Sequence, residues 1–338
     1  MERYKKLSKI YGLYMSRVLN RPLIKPYTVT ITLTSRCNLR CLMCDHWRAE
    51  CAEPTLSEVK GYIDQISEWD IPEIELSGGE PFVRKDILGI IDYATQKGIG
   101  MNITTNGTLF SEKNMRRIAG SNVKRLQISL DGATSEVHDR IRGVPGTYEK
   151  VMKAVGFFRG KIPVNATTVI MSHNLNQLVE LYHLTKRLGF SSITYQPVND
   201  SNIDVGSRKR HNPLRVSDLD RLDKVMDQLI GLRKMDAFIG NHPGFLSSVK
   251  DFFRDMPRER IKCYSGFISA IITPDARFWS CKGAFGNLNR EGLKSAWESS
   301  AAKKKRKAIK RCRNICMYPC FLDPDADSVI AATREALR

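Results

Sequence analysis

What most constrains the fold of this 338-residue chain is a strand-then-helix alternation running from Thr28 to Gln196. Short runs predict strands at Thr28–Thr34, Glu73–Ser77, Gly100–Thr105, Lys124–Leu130, Val164–Met171 and Ser192–Gln196. Helical patterns fall between them. A Thr55-x-x-Glu58 capping box opens one, with Val59, Tyr62, Ile63, Ile66 and Trp69 apolar. Others are predicted over Ile87–Lys97, closed by Gly98, then Ser111–Ala119, Tyr148–Phe158, and Leu175–Leu188, closed by Gly189. Such alternation builds a parallel α/β sheet, because each return crossing needs a helix. Six strands are too few for the usual closed eight-stranded barrel, so a partial (β/α)6 TIM-type barrel is expected.

Functional groups in such folds gather at the C-terminal ends of the strands. The unusual residues of this chain fall there. The first strand leads into Cys37-Asn38-Leu39-Arg40-Cys41-Leu42-Met43-Cys44, and the second into Ser77-Gly78-Gly79-Glu80-Pro81. The third leads into Thr105-Asn106-Gly107; the fourth carries Ser129 and ends in Asp131-Gly132. The fifth ends at Met171 and the sixth at Gln196-Pro197. One active site on one rim is the expected result.

The flanks read differently. Residues 4–19 form a basic amphipathic helix with Tyr4, Leu7, Tyr11, Tyr14 and Val18 on one face. That face either packs on the main domain or lies on a membrane surface. Residues 199–215 read as a polar loop and Val216–Leu232 as a helix. Phe267–Ile272 and Arg277–Ser280 flank Thr273-Pro274-Asp275-Ala276 as a β-hairpin, which brings Cys263 and Cys281 towards each other. Leu293–Lys310 reads as one helix. The expected divisions are 1–26 (amphipathic helix), 27–215 (barrel core), 216–262 (helical linker), 263–325 (a small hairpin and helix extension) and 326–338 (tail).

The net charge of +18 admits nucleic acid, anionic lipid or an anionic substrate as partner. Much of it comes from Lys5, Lys6, Lys9 and Arg17, and from Lys303-Lys304-Lys305-Arg306-Lys307, for which a solvated face is the plain reading. No apolar stretch approaches the roughly 20 residues needed to cross a bilayer. The basic start lacks a signal-peptide pattern, so a cytoplasmic location is expected.

The nine cysteines cluster early and late, which in a reducing compartment favours metal binding over disulfides. Cys37, Cys41 and Cys44 are spaced C-x3-C-x2-C. Three thiolates can hold an iron–sulfur cube and leave one iron open to a chelating ligand. The plainer readings are a zinc site borrowing His46, or three unrelated thiols. Cys51 falls outside both groups and reads as a plain thiol.

At these residues the sequence resembles the radical SAM superfamily. The C-x3-C-x2-C run looks like its signature, and Gly78-Gly79-Glu80-Pro81 like its second motif. The stretch from Cys263 through Gly266, Pro274, Cys281, Gly286-Asn287-Leu288 and Trp297 to Cys312-x3-Cys316-x3-Cys320 resembles a shortened SPASM or twitch extension. The resemblance implies a [4Fe–4S] cluster on Cys37, Cys41 and Cys44 with S-adenosylmethionine (SAM) on its open iron. Reductive cleavage of SAM would give a 5′-deoxyadenosyl radical that abstracts hydrogen from substrate. Gly78 and Gly79 would let backbone approach the ligand, and Glu80 would accept from the SAM ammonium. Asn106, Ser129 and Asp131 would bond its ribose or carboxylate, or else serve turns and caps. Arg142, in His138-Asp139-Arg140-Ile141-Arg142-Gly143, looks like a residue that meets the SAM carboxylate. Met171 would pack on adenine or in the core. His46 and Trp47 would shield the cluster.

Cys263, Cys281, Cys316 and Cys320 are the expected ligands of one auxiliary [4Fe–4S] cluster, with Cys312 able to replace one of them or an iron left open. Zinc is the alternative metal. Relatives with such extensions are oxidoreductases or maturases, reduced by a donor such as flavodoxin or ferredoxin. The stretch before Thr28 is shorter than a leader-binding domain. The expected reaction is therefore oxidation or dehydrogenation of a small polar, sugar, nucleotide or lipid-linked molecule between the barrel rim and the extension. The alternatives are a ribosomal peptide or protein maturase, and a basic Fe–S nucleic-acid-binding protein. The lack of a recognised nucleic-acid module weighs against the last.

Overall fold

The computed structural model describes residues 2–48, 52–199, 212–256, 262–312 and 317, with side chains from residue 10. The chain runs α1 (Glu2–Leu19), β1 (Thr28–Thr32), α2 (Leu56–Glu68), β2 (Glu73–Ser77), α3 (Ile87–Gln96), β3 (Gly100–Thr105), α4 (Glu112–Ala119) and β4 (Val123–Ser129). It continues with α5 (Ser135–Arg142), α6 (Thr147–Phe158), β5 (Val164–Ile170), α7 (Leu178–Leu188) and β6 (Ser192–Pro197). Beyond these lie α8 (Leu219–Met235), α9 (Pro243–Phe253), β7 (Ser269–Ile272), β8 (Arg277–Ser280), β9 (Gly283–Asn287), α10 (Leu293–Glu298) and α11 (Ser300–Lys310).

Among the described residues one sheet holds all nine strands, in the order β6-β5-β4-β3-β2-β1-β7-β8-β9. Strands β1 to β6 pair in sequence order and in parallel. Same-handed crossovers between successive neighbours carry the helices to one face, which is how a barrel winds. Period-two alternation then separates two surfaces. Val29, Ile31, Ile74, Leu76, Met101, Ile103, Leu126 and Ile128 are buried in the main core with the helices. The opposite phase is polar and half-buried, with Thr30 in register with Glu75, and Thr104 with Gln127. The sheet thus has an apolar outside and a polar inside.

The C-terminal hairpin does not form a sheet of its own. β7 pairs in parallel with β1, Thr28 opposite Ser269, and β8 and β9 follow antiparallel. Cys263 precedes β7 and Cys281 follows β8, so both lie beyond the N-terminal ends of the parallel strands. Cys37, Cys41 and Cys44 leave from the C-terminal end of β1. The two cysteine groups therefore stand at opposite ends of β1. The extension also locks to α2: Trp297 lies against Trp69 with ring centroids 6.3 Å apart, and Leu293 N–H donates to Gln65 Oε1 at 2.8 Å.

Several expectations are corrected. The predicted single helix over Leu293–Lys310 is two, because Ser299 is extended (ψ 158°) and its Oγ caps Ala302 N–H at 3.0 Å. Helix α5 and strand β9 were not anticipated, while α9 falls within the expected helical linker. α8 starts at Leu219 rather than Val216, since Asp218 accepts from Arg221 N–H at 2.9 Å. α1 does pack on the body, but through Ile10 and Leu13 against Tyr264 and Phe267. Tyr11 and Val18, on the face singled out by periodicity, are exposed. Cys51, Cys316, Cys320, most of the 199–215 loop and the 326–338 tail lie outside the described residues.

Candidate functional site

The loop after β1 is gripped from two sides. On one, Gly79 N–H donates to Thr34 O at 2.8 Å and Glu80 N–H to Arg36 O at 2.9 Å. A Cβ on Gly79 would stand 2.3 Å from Arg36 O, and Gly78 has φ +142° with Thr34 O 2.4 Å from its missing Cβ. The glycine pair is therefore required by the approach of two protein loops, where the sequence suggested approach to a ligand. On the other side, Arg40 N–H donates to Arg142 O (3.2 Å) and Leu42 N–H to Ile141 O (3.0 Å) at the end of α5. Gly143 (φ +74°) closes that helix, and a Cβ there would stand 2.3 Å from Arg40 O.

Held this way, the half-buried Cys37, Cys41 and Cys44 line one cavity. Leu39, Met43, His46, Trp47, Gly79, Thr104, Thr105, Asn106, Ser129 and Arg142 complete its wall. Arg40 and Arg48 stack on the Trp47 ring at 4.3 and 4.6 Å from its centroid. Asn106 Nδ2 bonds Asn38 Oδ1 at 2.9 Å and lies 3.9 Å from Cys37 Sγ, while Leu39 N–H donates to the same sulfur at 3.4 Å. Burial pushes the free Cys37 and Cys44 thiols up. A bound metal reverses that preference, because a coordinating thiol is deprotonated.

Behind the wall, Glu80 is fully buried and accepts from Phe82 N–H (3.1 Å), Thr105 Oγ1 (2.8 Å) and Asn106 N–H (2.7 Å). Burial drives its carboxyl up to about 7 against the pull of these donors. Its bonds tie the Gly-Gly-Glu turn to the end of β3. Asp131 is likewise fully buried, 2.5 Å from Arg142 Nη2, and accepts from Val169 N–H at 2.8 Å. Desolvation raises the Asp131 carboxyl, opposed by Arg142. Arg142 Nη1 reaches Cys41 Sγ at 3.8 Å, while its Nε is buried with no partner.

The structure thus brings Cys37, Cys41, Cys44, Gly79, Asn106, Ser129 and Arg142 together on the cavity wall. Gly78, Glu80 and Asp131 act from behind it. Met171 is fully buried, its N–H bonded to Asn174 Oδ1 at 3.0 Å, in the core rather than on the wall. Thr104 and Thr105 were missed. The inward phase of β3 marks Thr104, whose Oγ1 donates to Glu75 at 2.7 Å, whereas nothing local marks Thr105.

The donor set fits an iron–sulfur cluster with an anionic ligand beside it. Three soft thiols share one wall, N–H donors face Cys37, and a guanidinium with an orphaned Nε stands next to Cys41. At the far end, Cys281 N–H meets Ser265 Oγ at 3.5 Å, which brings Cys281 to the segment that begins at Cys263. Cys263 is buried, Cys281 exposed and Cys312 half-buried.

The radical SAM superfamily matches residues 31–185, and the SPASM iron–sulfur cluster-binding domain matches residues 263–325. An AdoMet-dependent heme synthase of Methanosarcina barkeri is 33% identical over 168 residues, 48% of this chain and 48% of that protein. The chain thus spans about half the length of that relative. A PqqA peptide cyclase of Rhizobium meliloti is 25% identical over 303 residues, 85% of this chain and 77% of that one. The solved structure of Streptococcus suis SuiB bound to precursor peptide SuiA superimposes with a TM-score of 0.67. It has 15% identity and covers 89% of this chain and 71% of SuiB, a likeness of fold. The chain belongs to the radical SAM superfamily, whose [4Fe–4S] cluster and SAM are its cofactors, and carries a C-terminal SPASM-type iron–sulfur domain.

Proposed function

We propose that this chain is a radical SAM peptide maturase. Cys37, Cys41 and Cys44 hold the [4Fe–4S] cluster and Arg142 receives the SAM carboxylate. The observation that carries the peptide reading is the extent of the peptide cyclase likeness. At 85% of the chain it is too long to be confined to the barrel, so it runs into the extension. The heme synthase likeness covers 48% of the chain. The small-molecule preference drawn from the sequence yields to this reading.

Bound at this wall, the cluster and SAM supply reductive cleavage of SAM and hydrogen abstraction. The chain's own residues do the rest. Arg142, whose Nε has no partner among the described residues, would receive a carboxylate, and Asp131 holds its guanidinium in place. Asn106 and Ser129 offer hydrogen bonds along the same wall. Leu39, Met43 and Trp47 exclude water. Cys263, Cys281, Cys316 and Cys320, with Cys312 as substitute, would hold the auxiliary cluster; of these, Cys263 and Cys281 lie beyond the far end of β1.

Anaerobic reconstitution tests both levels. Reduced protein should convert SAM to 5′-deoxyadenosine, and replacing Cys37, Cys41 and Cys44 with Ala should abolish it; persistent cleavage would sink the cluster assignment. Deuterium should pass into 5′-deoxyadenosine from a perdeuterated precursor peptide encoded beside the gene. Transfer from a haem precursor instead would replace the peptide reading with a heme synthase one.

A further inference from the structure

We infer that α1 and the lysine-bearing face of α11 form one docking surface for an anionic lipid bilayer. The protein would lie on this surface without crossing. The inference is independent of which substrate is modified.

The starting observation is that α1 is apolar on two sides. Ile10, Leu13 and Ser16 face the body and are buried. A helix advances about 100° per residue, so Tyr11, Met15, Val18 and Leu19, at i, i+4, i+7 and i+8, share the opposite side. They are 36%, 37%, 46% and 55% exposed, and Leu23, just past the helix, is 49% exposed. Among the described residues, five of the eight exposed large apolar side chains fall between Tyr11 and Leu23. Scattered exposed apolar residues are ordinary, but a contiguous stripe marks an interaction surface.

Charge identifies what it meets. The fold brings the chain's late basic run beside this stripe. Asn20 Nδ2 donates to Lys303 O at 3.2 Å, and Lys310 Nζ to Val18 O at 2.7 Å, which docks α11 on the end of α1. Lys303, Lys304 and Lys307 are exposed on that helix, and Arg21 is exposed beside Leu23. An apolar stripe bordered by lysines matches the boundary between acyl chains and anionic headgroups. A second copy of a chain carrying +18 would set the same basic rim against itself. Nucleic acid would use the lysines and leave the stripe in water. A single helix also presents a ridge rather than a groove, which suits a deformable lipid surface better than a peptide. Among the described residues no helix is long and apolar enough to cross a membrane, which fits a peripheral contact.

The test is flotation of the full, cluster-reconstituted chain with phosphatidylcholine vesicles, with and without phosphatidylglycerol. The chain should float with the anionic vesicles at low salt, be released at high salt, and ignore the neutral ones. Val18→Asp with Leu19→Asp should remove the apolar half of the contact. Lys303→Glu with Lys304→Glu and Lys307→Glu should lower partitioning by roughly 100-fold. Unchanged iron content and SAM cleavage would show that each variant is folded. Failure to float with any vesicle overturns the proposal. So does flotation that both variant sets leave intact, or a concentration-dependent dimer that Val18→Asp dissociates.

Discussion

His138 and Glu80 set opposing pH responses beside the cavity. Asp131 N–H donates to His138 Nδ1 at 3.2 Å, so this ring nitrogen must stay unprotonated. Burial, helped by the Arg142 charge, lowers the His138 pKa from 6.5 to about 3. Between those values the unfolded chain binds a proton that the folded one refuses, so stability falls as pH drops through the window. Glu80 has the opposite sign. Its carboxyl, raised from 4.5 to about 7, makes stability fall as pH rises between those values. The two oppose each other in wild type, so the informative quantity is a difference. His138→Asn keeps an acceptor and cannot titrate. Relative to that variant, wild type should lose about 2 kcal/mol between pH 6.5 and about pH 5, read from urea midpoints. Parallel profiles would show that His138 is not the titrating group. At this scale the cysteine triplet was legible because its spacing is local. The duties of Glu80 and Asp131 were not, because their partners, Thr105, Asn106 and Arg142, come from other segments.

Helix ends were readable where side-chain caps mark them. Thr55 Oγ1 accepts from Glu58 N–H at 3.2 Å, and Glu58 Oε2 from Thr55 N–H at 2.7 Å, the reciprocal pair that the sequence predicts. Thr55→Ala should lower stability by about 1 kcal/mol in chemical denaturation while leaving SAM cleavage unchanged. A loss of cleavage would mean that α2 affects the site directly. α5 was overlooked because Ser135–Arg142 has few apolar residues, although Thr134 caps Val137 N–H and Gly143 closes the helix in the left-handed region. The omission mattered, since α5 carries both His138 and Arg142 to the cysteine loop. α11 shows the reverse case. Read as a charge run it is a solvated face, yet its period turns Ala302, Arg306 and Ile309 inward. Arg306 is buried over the Trp297 ring at 4.3 Å with its Nε on Gly266 O at 2.6 Å, and burial lowers its pKa to about 10.

At the scale of the molecule, β1 is the shared support of both cysteine groups. Its five residues span about 16 Å, with the cysteine loop at one end and Cys263 and Cys281 beyond the other. Cys281→Ala should therefore lower iron content while leaving part of the SAM cleavage, because among the described residues the loop after β1 is held by the turn that follows β2 and by the end of α5. Unchanged iron would remove Cys281 from the auxiliary site. By itself the sequence determined the strand–helix alternation, the parallel barrel class and the cysteine spacing. Each depends on contacts between residues close in the chain: period, caps and turns. Only the tertiary structure decided that β7 extends the barrel sheet through β1, that Arg142 rather than Asp131 faces the cavity, and that the apolar stripe of α1 points outward. These depend on register and on which of two available faces buries more apolar surface against distant segments, and neither is encoded in local periodicity.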